Sequence, residues 1–412
     1  MNGRINPLTL NYVKLPTFLL VVFSGFYLTR LVPISPIYFS FVLSLIIFLV
    51  GYLYSGKRKF NLLSIPVVVN FIYLIVTQPF NHPELLTLLN VLFSLAYLIA
   101  ILNSAPYLSK AELIHYSKIF IVFTILLLTI EASWRLSHPV DLAKIIHNTG
   151  SIKDTEKLFL PSDTGSNGLI LNGNNEIEKN LFYTFKISSI MFQDSNFVGT
   201  YGLTTFFFYL FLLRERFVKT PIPLYILGFL IILTLSRSAI LTIPLTYLLI
   251  ALTKKNSSII YMTLFLFLLL IGTVFIFHGV ANDESFMSKI RIVTLSFNHL
   301  NHLSFIDLMN GIGFGNTVHY LGIAAHNIFL TYLIESGIVG FVLFLITNLM
   351  FIKGSNRKSL YLTIPLFISG MSLSGHVLTF YYACMVILYF LSRNPSDEHL
   401  KVEEKSNLEM SI

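Results

Sequence analysis

The residues of this chain best suited to chemistry are a histidine and an asparagine at positions 326 and 327. His326-Asn327 is followed, after nine residues, by Gly337-Ile338-Val339-Gly340 within a long apolar stretch. At about 100° per residue, one continuous helix would bring His326, Gly337 and Gly340 to roughly one face. Imidazole exchanges a proton near neutral pH, and small residues let a second helix approach closely. The pattern predicts a reactive histidine at the mouth of a closely packed membrane helix.

The composition of the chain predicts the membrane in which this helix lies. Hydrophobic residues make up 55% of the 412 residues and charged residues 12%, whereas an ordinary soluble domain has about 25% charged residues. Apolar runs of about 20 residues recur along nearly the whole chain, and each is long enough to cross a bilayer. The first run, Pro16 to Val32, lacks a small-residue cleavage site and is predicted to be an uncleaved helix. We expect an all-α polytopic membrane protein that forms a single integral membrane domain over 1–412.

The positions of basic residues predict the direction in which each apolar run crosses the membrane. The runs then make about twelve crossings. Basic clusters such as Lys57-Arg58-Lys59 and Lys254-Lys255 recur on one side, which is the mark of the cytoplasmic face. The N-terminus and the tail at 393–412 fall on that face too, as an even number of crossings requires. Arg237 then falls at the external surface, between two helices. The predicted helices are 16–33, 36–55, 61–80, 84–104, 114–134, 196–213, 218–235, 237–253, 258–279, 327–352, 359–375 and 377–392.

Two long polar segments, at 136–195 and 281–325, are predicted to be large external loops. Loops longer than about 12–15 residues are usually functional or disordered. Neither segment is basic enough for a nucleic-acid arm, and their mixed charges suit a polar cap that faces sugars. The single cysteine, Cys384, allows no intramolecular disulfide, and no Cys/His spacing typical of a metal site occurs. We therefore expect no metal, no cofactor and no nucleic-acid partner.

Three motifs together resemble the O-antigen polymerase and O-antigen ligase superfamily of bacterial inner-membrane proteins. They are His326-Asn327 with Gly337-x-x-Gly340, Arg237 with leucine four positions on, and Gly311-Ile312-Gly313-Phe314-Gly315. The resemblance spans about 196–345, and the twelve-helix plan matches more loosely elsewhere. The histidine motif is fairly specific in a polytopic protein, whereas Arg-x-x-x-Leu alone carries no information.

The resemblance implies a glycosyltransferase with a fold similar to that of the C-type membrane enzymes (GT-C). It implies an active site in the periplasm, both loops on that side, and both termini in the cytoplasm. The implied donor is an undecaprenyl-diphosphate-linked oligosaccharide, used without a metal. A polymerase moves the growing glycan onto the next lipid-linked repeat unit, and a ligase moves it onto lipid A core. We prefer the polymerase because of the long first external loop, the charged tail and the divergent sequence, although the motif is shared by both. A chain-length regulator and a flippase are the further partners that a polymerase implies.

Within this interpretation, cations would compensate the charge of the diphosphate leaving group while His326 accepts the proton of the acceptor hydroxyl. Arg237 and Arg291 are the predicted catalytic cations, because guanidinium groups bind phosphate oxygens in pairs, and Lys289 is predicted to assist. A single displacement predicts inversion at the anomeric carbon. Structural alternatives remain open: His326 can cap a helix or orient the diphosphate, Arg237 can reach lipid headgroups, and no predicted helix holds Arg291.

Other polar residues are predicted to bind substrate, each with a structural alternative. Asn327 can cap a helix or orient its neighbours. Asp194 and Asn196 flank the start of a predicted helix and fit a cap, although the resemblance suggests a role near the acceptor. Glu335, inside a predicted helix, must be paired or face a cavity. The aromatic residues that fit an interfacial belt or a sugar-stacking platform are Tyr320, Tyr381 and Tyr382.

A transporter, in particular a flippase for lipid-linked oligosaccharides, is the rival class of function. Transporters tend to show internal repeats and charged or broken helices near mid-membrane. The two halves of this chain do not look alike, and its predicted helices are poor in charge. These features favour an enzyme.

Overall fold

A computed structural model of the chain describes residues 7–29, 31–55, 61–139, 185, 188–192, 195–253, 284–322 and 325–393. The regular secondary structure of these residues is helical, with no strand among them. Two 3₁₀ turns, Gln78–Asn81 and Ala105–Tyr107, extend α3 and α4. In chain order the helices are α1 (Pro7–Val22), α2 (Pro36–Ser55), α3 (Ser64–Thr77), α4 (Leu85–Ser104), α5 (Lys110–Ser137), α6 (Ser195–Arg214), α7 (Ile222–Leu233), α8 (Arg237–Thr253), α9 (Glu284–Leu300), α10 (Phe305–Asn310), α11 (Thr317–Leu321), α12 (Ile328–Glu335), α13 (Gly337–Gly354), α14 (Leu360–Gly370) and α15 (Thr379–Ser392).

Five of these helices, counted with their 3₁₀ extensions, are long and apolar enough to cross a bilayer. Shorter apolar helices, among them α7, α8, α14 and α15, accompany them. These helices indicate a helical membrane protein, as the composition predicts. The five are Ser64–Asn81, Leu85–Tyr107, Lys110–Ser137, Ser195–Arg214 and Gly337–Gly354. The predicted helix at 258–279, and most of the segment at 136–195, lie outside the described residues.

The centre of the molecule is formed by α6 and α15, whose side chains are almost all buried. α6 contacts α5, α7, α8, α14 and α15. Tyr381 and Tyr382 are fully buried in this core, and the Tyr381 hydroxyl donates a hydrogen bond to Asn348 Oδ1 at 2.6 Å. The prediction that these two tyrosines form an interfacial belt or a sugar platform is therefore wrong, because α15 is enclosed by other helices.

The first helix differs from the prediction at both ends. α1 begins at Pro7, carries Pro16 in its interior and ends at Val22, whereas the apolar run predicted 16–33. Gly25 lies directly against the ring of Tyr201 in α6, and beyond it Thr29 donates its backbone N–H to Met191 at 3.2 Å. The chain leaves the helix because its backbone is bonded to a distant segment, which hydropathy cannot reveal.

The predicted helix 327–352 is two helices, α12 and α13, separated at Ser336. Gly337 has a φ of +70°, in the left-handed region, so the helix cannot continue through it. A Cβ on Gly337 would lie 2.3 Å from the carbonyl oxygen of Met309 and 2.5 Å from the nitrogen of Gly311. The expectation that His326, Gly337 and Gly340 share one helical face is therefore wrong, since a crossing backbone segment occupies the break.

The described part of the second predicted loop, 281–325, is largely helical. It contains α9, α10 and α11, and Ile292 of α9 packs in a small apolar cluster with Leu330 and Ile334 of α12. Arg291 lies within α9, so the expectation that no helix fixes it is wrong. A 17-residue helix was missed because its mean hydropathy is too low for a membrane span and its apolar positions are spaced amphipathically.

Candidate functional site

A cavity of about 320 Å³ lies between α9, the start of α12 and the turn that follows α14. Most of its surface is apolar, and its polar residues include Lys289, His326, Asn327 and Ser372. Three residues that the sequence predicted separately, Lys289, His326 and Asn327, are thus brought together. The remaining residues of the lining are Ile290, Ile292, Val293, Thr294 and Met371.

The cavity is formed because α12 is held on two sides. Ile328, fully buried, packs tightly against Gly370 and Gly375, which keeps the turn at 371–372 beside His326. On the other side, Ile292 docks α9 onto α12. Because Lys289 precedes Ile292 by three residues, about 300° around the helix, it lies close to the same face. His326 and Lys289 are both half-buried at this junction.

Asn327 serves as the N-cap of α12. Its side-chain oxygen accepts hydrogen bonds from the backbone N–H groups of Phe329 at 3.0 Å and Leu330 at 3.3 Å. Its backbone is extended, with φ −150° and ψ 116°, as a cap requires. Helix capping, the structural alternative predicted for Asn327, thus accounts for the contacts of its side-chain oxygen. The residue also lines the cavity.

We expect Asn327→Ala to lower the free energy of unfolding by about 0.5–2 kcal/mol, because two helix N–H groups lose their acceptor. Asn327→Asp keeps an acceptor oxygen and should cost less. Denaturant unfolding of both variants in detergent would measure the difference. Equal losses for alanine and aspartate would argue against the capping role.

Two other predicted site residues near α9 do not line the cavity. Arg291 is exposed, because it lies about 200° around the helix from Lys289. Tyr320, on α11, is 57% exposed, and its ring centroid lies 5.4 Å from that of His299. Burial lowers the pKa of His299, and the neighbouring His302 lowers it further, which favours the neutral imidazole.

A second polar cluster contains Arg237 and Asn196, away from the lining of the cavity. Asn196 lies in the first turn of α6, and its Oδ1 accepts a hydrogen bond from the Ser236 hydroxyl at 2.9 Å. Arg237 is exposed as the first residue of α8, two residues after Leu235, whose φ of +57° turns the chain. Asp194, predicted beside Asn196, lies outside the described residues. The start of α6 and the residue before α8 are thus joined by a hydrogen bond.

Glu335 lies at the opposite end of α12 from His326, about 13 Å along the axis at 1.5 Å per residue. It is 1% exposed and is fully engaged: Thr317 donates to Oε1 at 2.8 Å, and His376 Nε2 lies 3.2 Å from Oε2. Its carbonyl oxygen accepts from the Gln78 amide at 3.2 Å. This arrangement is the structural pair that the sequence offered as the alternative to substrate binding.

Sequence reasoning missed a buried ion pair within α5. Glu131 and Arg135 are 2% and 1% exposed, and Arg135 Nε lies 2.6 Å from Glu131 Oε1. Glu131 Oε2 also accepts from the backbone N–H groups of Ile190 and Met191, and Arg135 donates to the carbonyl of Thr234 at 2.7 Å. The available signal was two opposite charges four residues apart at the end of an apolar helix.

The arrangement of the cavity can bind an anion and move a proton. The Lys289 ammonium supplies positive charge beside an apolar wall, and the His326 imidazole can accept a proton at neutral pH. Among the described residues, no group of three His, Cys, Asp or Glu side chains could hold a metal ion. No family model and no curated protein matches the chain.

Proposed function

We propose that this protein is a glycosyltransferase of the O-antigen polymerase type. It transfers a growing glycan from undecaprenyl diphosphate onto a lipid-linked repeat unit at the periplasmic face of the bacterial inner membrane. The proposal includes a chain of about twelve membrane-spanning helices with both termini in the cytoplasm and a GT-C-like architecture. The observation that carries it is the shared cavity of His326 and Lys289, in which an imidazole and an ammonium group lie beside an apolar surface.

The chemistry follows from these two groups. The acceptor hydroxyl oxygen attacks the anomeric carbon, and its proton passes to the imidazole of His326. The bond between the anomeric carbon and the diphosphate oxygen breaks, and its electron pair leaves with the diphosphate. Lys289 compensates the negative charge on the leaving group. This is the role that the sequence analysis assigned first to Arg237 and Arg291. One displacement inverts the anomeric carbon, and no metal takes part.

The break between α12 and α13 is the one observation that favours the rival transporter function. Broken helices with buried ionisable groups are typical of transport sites, and Glu335 with His376 stands beside this break. The polar groups at the break are, however, bonded to protein. Glu335 has Thr317 and His376 as partners, and the carbonyl of Ser336 accepts from Tyr73. This bonding supports a structural role for the break, and the enzyme remains our proposal.

We expect a strain lacking the gene to carry a single repeat unit on its lipid core, with no ladder of longer chains on a gel. Wild-type protein should restore the ladder, and His326→Ala should not, because loss of a general base costs about 10²–10⁴-fold in rate. His319→Ala, which removes an exposed imidazole on α11, is the matched control and should restore the ladder.

Other outcomes would contradict the proposal in distinct ways. Bare core with long chains on the carrier lipid would identify a ligase. Repeat units held on the cytoplasmic leaflet would identify a flippase. A normal ladder with His326→Ala would remove the histidine from the mechanism, whatever reaction the protein performs.

A further inference from the structure

The exposed surface of α9 is divided lengthwise into an apolar stripe and a polar stripe. Ile290, Val293 and Phe297 are 47%, 38% and 58% exposed, and they fall within an arc of about 60° at 100° per residue. The exposed residues Arg291 and Asn298 occupy the neighbouring arc, about 80–100° beyond Ile290.

The third face of α9 is buried and packs the helix against the rest of the protein. Ile292 and Ser296, 3% and 0% exposed, lie about 60–160° around the helix from the residues of the apolar stripe. Ile292 belongs to the apolar cluster that includes Leu330 and Ile334 of α12. Docking of α9 therefore leaves its apolar stripe exposed, although Ile290 and Val293 also line the cavity of His326.

The next helix in the chain, α10, also has exposed apolar side chains. Phe305 and Ile306, at the start of α10, are 75% and 68% exposed. Five large apolar side chains are thus exposed over 17 residues in a segment outside the candidate spans. Exposed large apolar side chains grouped in this way are typical of an interaction site.

We propose that the stripe formed by Ile290, Val293 and Phe297 lies in the headgroup region of the bilayer, so that α9 is an in-plane membrane helix. A helix with one apolar and one basic or polar exposed face is the form that lies in a lipid–water interface. Arg291 borders the stripe, where its guanidinium group can meet lipid phosphates while its stem covers apolar surface.

A bilayer is favoured over a protein partner as the cover of this stripe, because other helices of the chain are already suited to a bilayer. On α5, Val122, Leu126 and Ile130 form an exposed apolar stripe of similar character, 57–58% exposed, on a helix that is long and apolar enough to span a bilayer. The same bilayer that would cover the apolar stripe of α5 can cover the stripe of α9. Ile290 and Val293 also line the His326 cavity, so the stripe would set that cavity at the membrane surface.

Tryptophan fluorescence in liposomes tests this inference with the full chain. Trp134 is the single tryptophan, and Trp134→Phe provides a silent background. Phe297→Trp then reports on the apolar stripe, and Asn298→Trp, one residue away on the polar face, is the matched control. Liposomes of phosphatidylethanolamine and phosphatidylglycerol, with and without phosphatidylcholine brominated at the upper acyl carbons, supply the quencher.

We expect the Phe297→Trp emission to be blue-shifted relative to Asn298→Trp and to lose at least about half its intensity with brominated lipid. Asn298→Trp should instead be quenched by iodide in the buffer. Quenching of Phe297→Trp by iodide alone would overturn the inference, and protection from both quenchers would show that protein covers the stripe. Thermal melts matching the Trp134→Phe parent would show that both variants are folded. The result is independent of whether the protein transfers glycans.

Discussion

Gly337→Ala is expected to lower the free energy of unfolding by about 2–5 kcal/mol. Left-handed backbone costs a residue with a Cβ about 1–2 kcal/mol, and forcing atoms into a filled site costs about 1–3 kcal/mol more. The new methyl would lie 2.3 Å from the Met309 carbonyl oxygen and 2.5 Å from the Gly311 nitrogen. Both are backbone atoms, so no side chain can rotate away to make room.

Gly322→Ala is the matched control for this substitution. Gly322 has the same φ, +70°, but a Cβ there would meet nothing within 4 Å. Only the backbone strain of about 1–2 kcal/mol applies. Denaturant unfolding of both variants in detergent should therefore separate strain from clash. Equal losses at the two glycines would mean that the segment at 309–311 can move away from the break.

The second large effect is expected at the buried ion pair of α5. Arg135→Met should lower the free energy of unfolding by about 3–5 kcal/mol, because it leaves the Glu131 carboxylate buried without its cation. The same change removes the bond to the Thr234 carbonyl, which lies just before Ser236 and Arg237. Thermal and denaturant unfolding in detergent would measure the loss.

Two further variants show whether the charge is the cause. Lys358→Met breaks the pair with Glu215, whose 2.6 Å distance is the same but whose side chains are 32% and 31% exposed, so it should cost at most about 1 kcal/mol. Adding Glu131→Gln to Arg135→Met removes the unpaired charge and keeps an acceptor for Ile190 and Met191, so part of the loss should be recovered. No recovery in this double variant would show that lost packing, not charge, dominates.

For three helices, the ends predicted from local sequence agree with the structure. The boundaries of α2, α4 and α8 fall within about two residues of their predicted ends, because an apolar run bounded by polar or turn residues is a local property. The interruption at Ser236 is likewise confirmed, since α7 ends at Leu233 and α8 begins at Arg237. Asn327 as a cap follows from its residue type and its place before a helix.

Apart from the missed helix α9, whose amphipathic spacing is a local pattern, the predictions that failed depend on residues far apart in the chain. No residue near Gly337 in the sequence indicates that the backbone of Met309 and Gly311 lies against the helix at that point. The end of α1 depends on Tyr201 and Met191, more than 160 residues away. The burial of Tyr381 and Tyr382 depends on which helices surround α15.

The candidate site shows the same division. Residue type and spacing, together with the family resemblance, selected His326, Lys289, Arg237 and Arg291 as groups that can handle a proton or an anion. That capacity belongs to the side chain. Which cation shares a cavity with the histidine was decided by the docking of Ile292 onto α12, which brings Lys289 to the cavity and leaves Arg291 outside it. The sequence by itself determined a helical, membrane-suited chain and the chemistry available to it, since hydropathy and functional groups are carried residue by residue. Tertiary structure alone decided which of those groups meet, since packing between distant segments sets their distances.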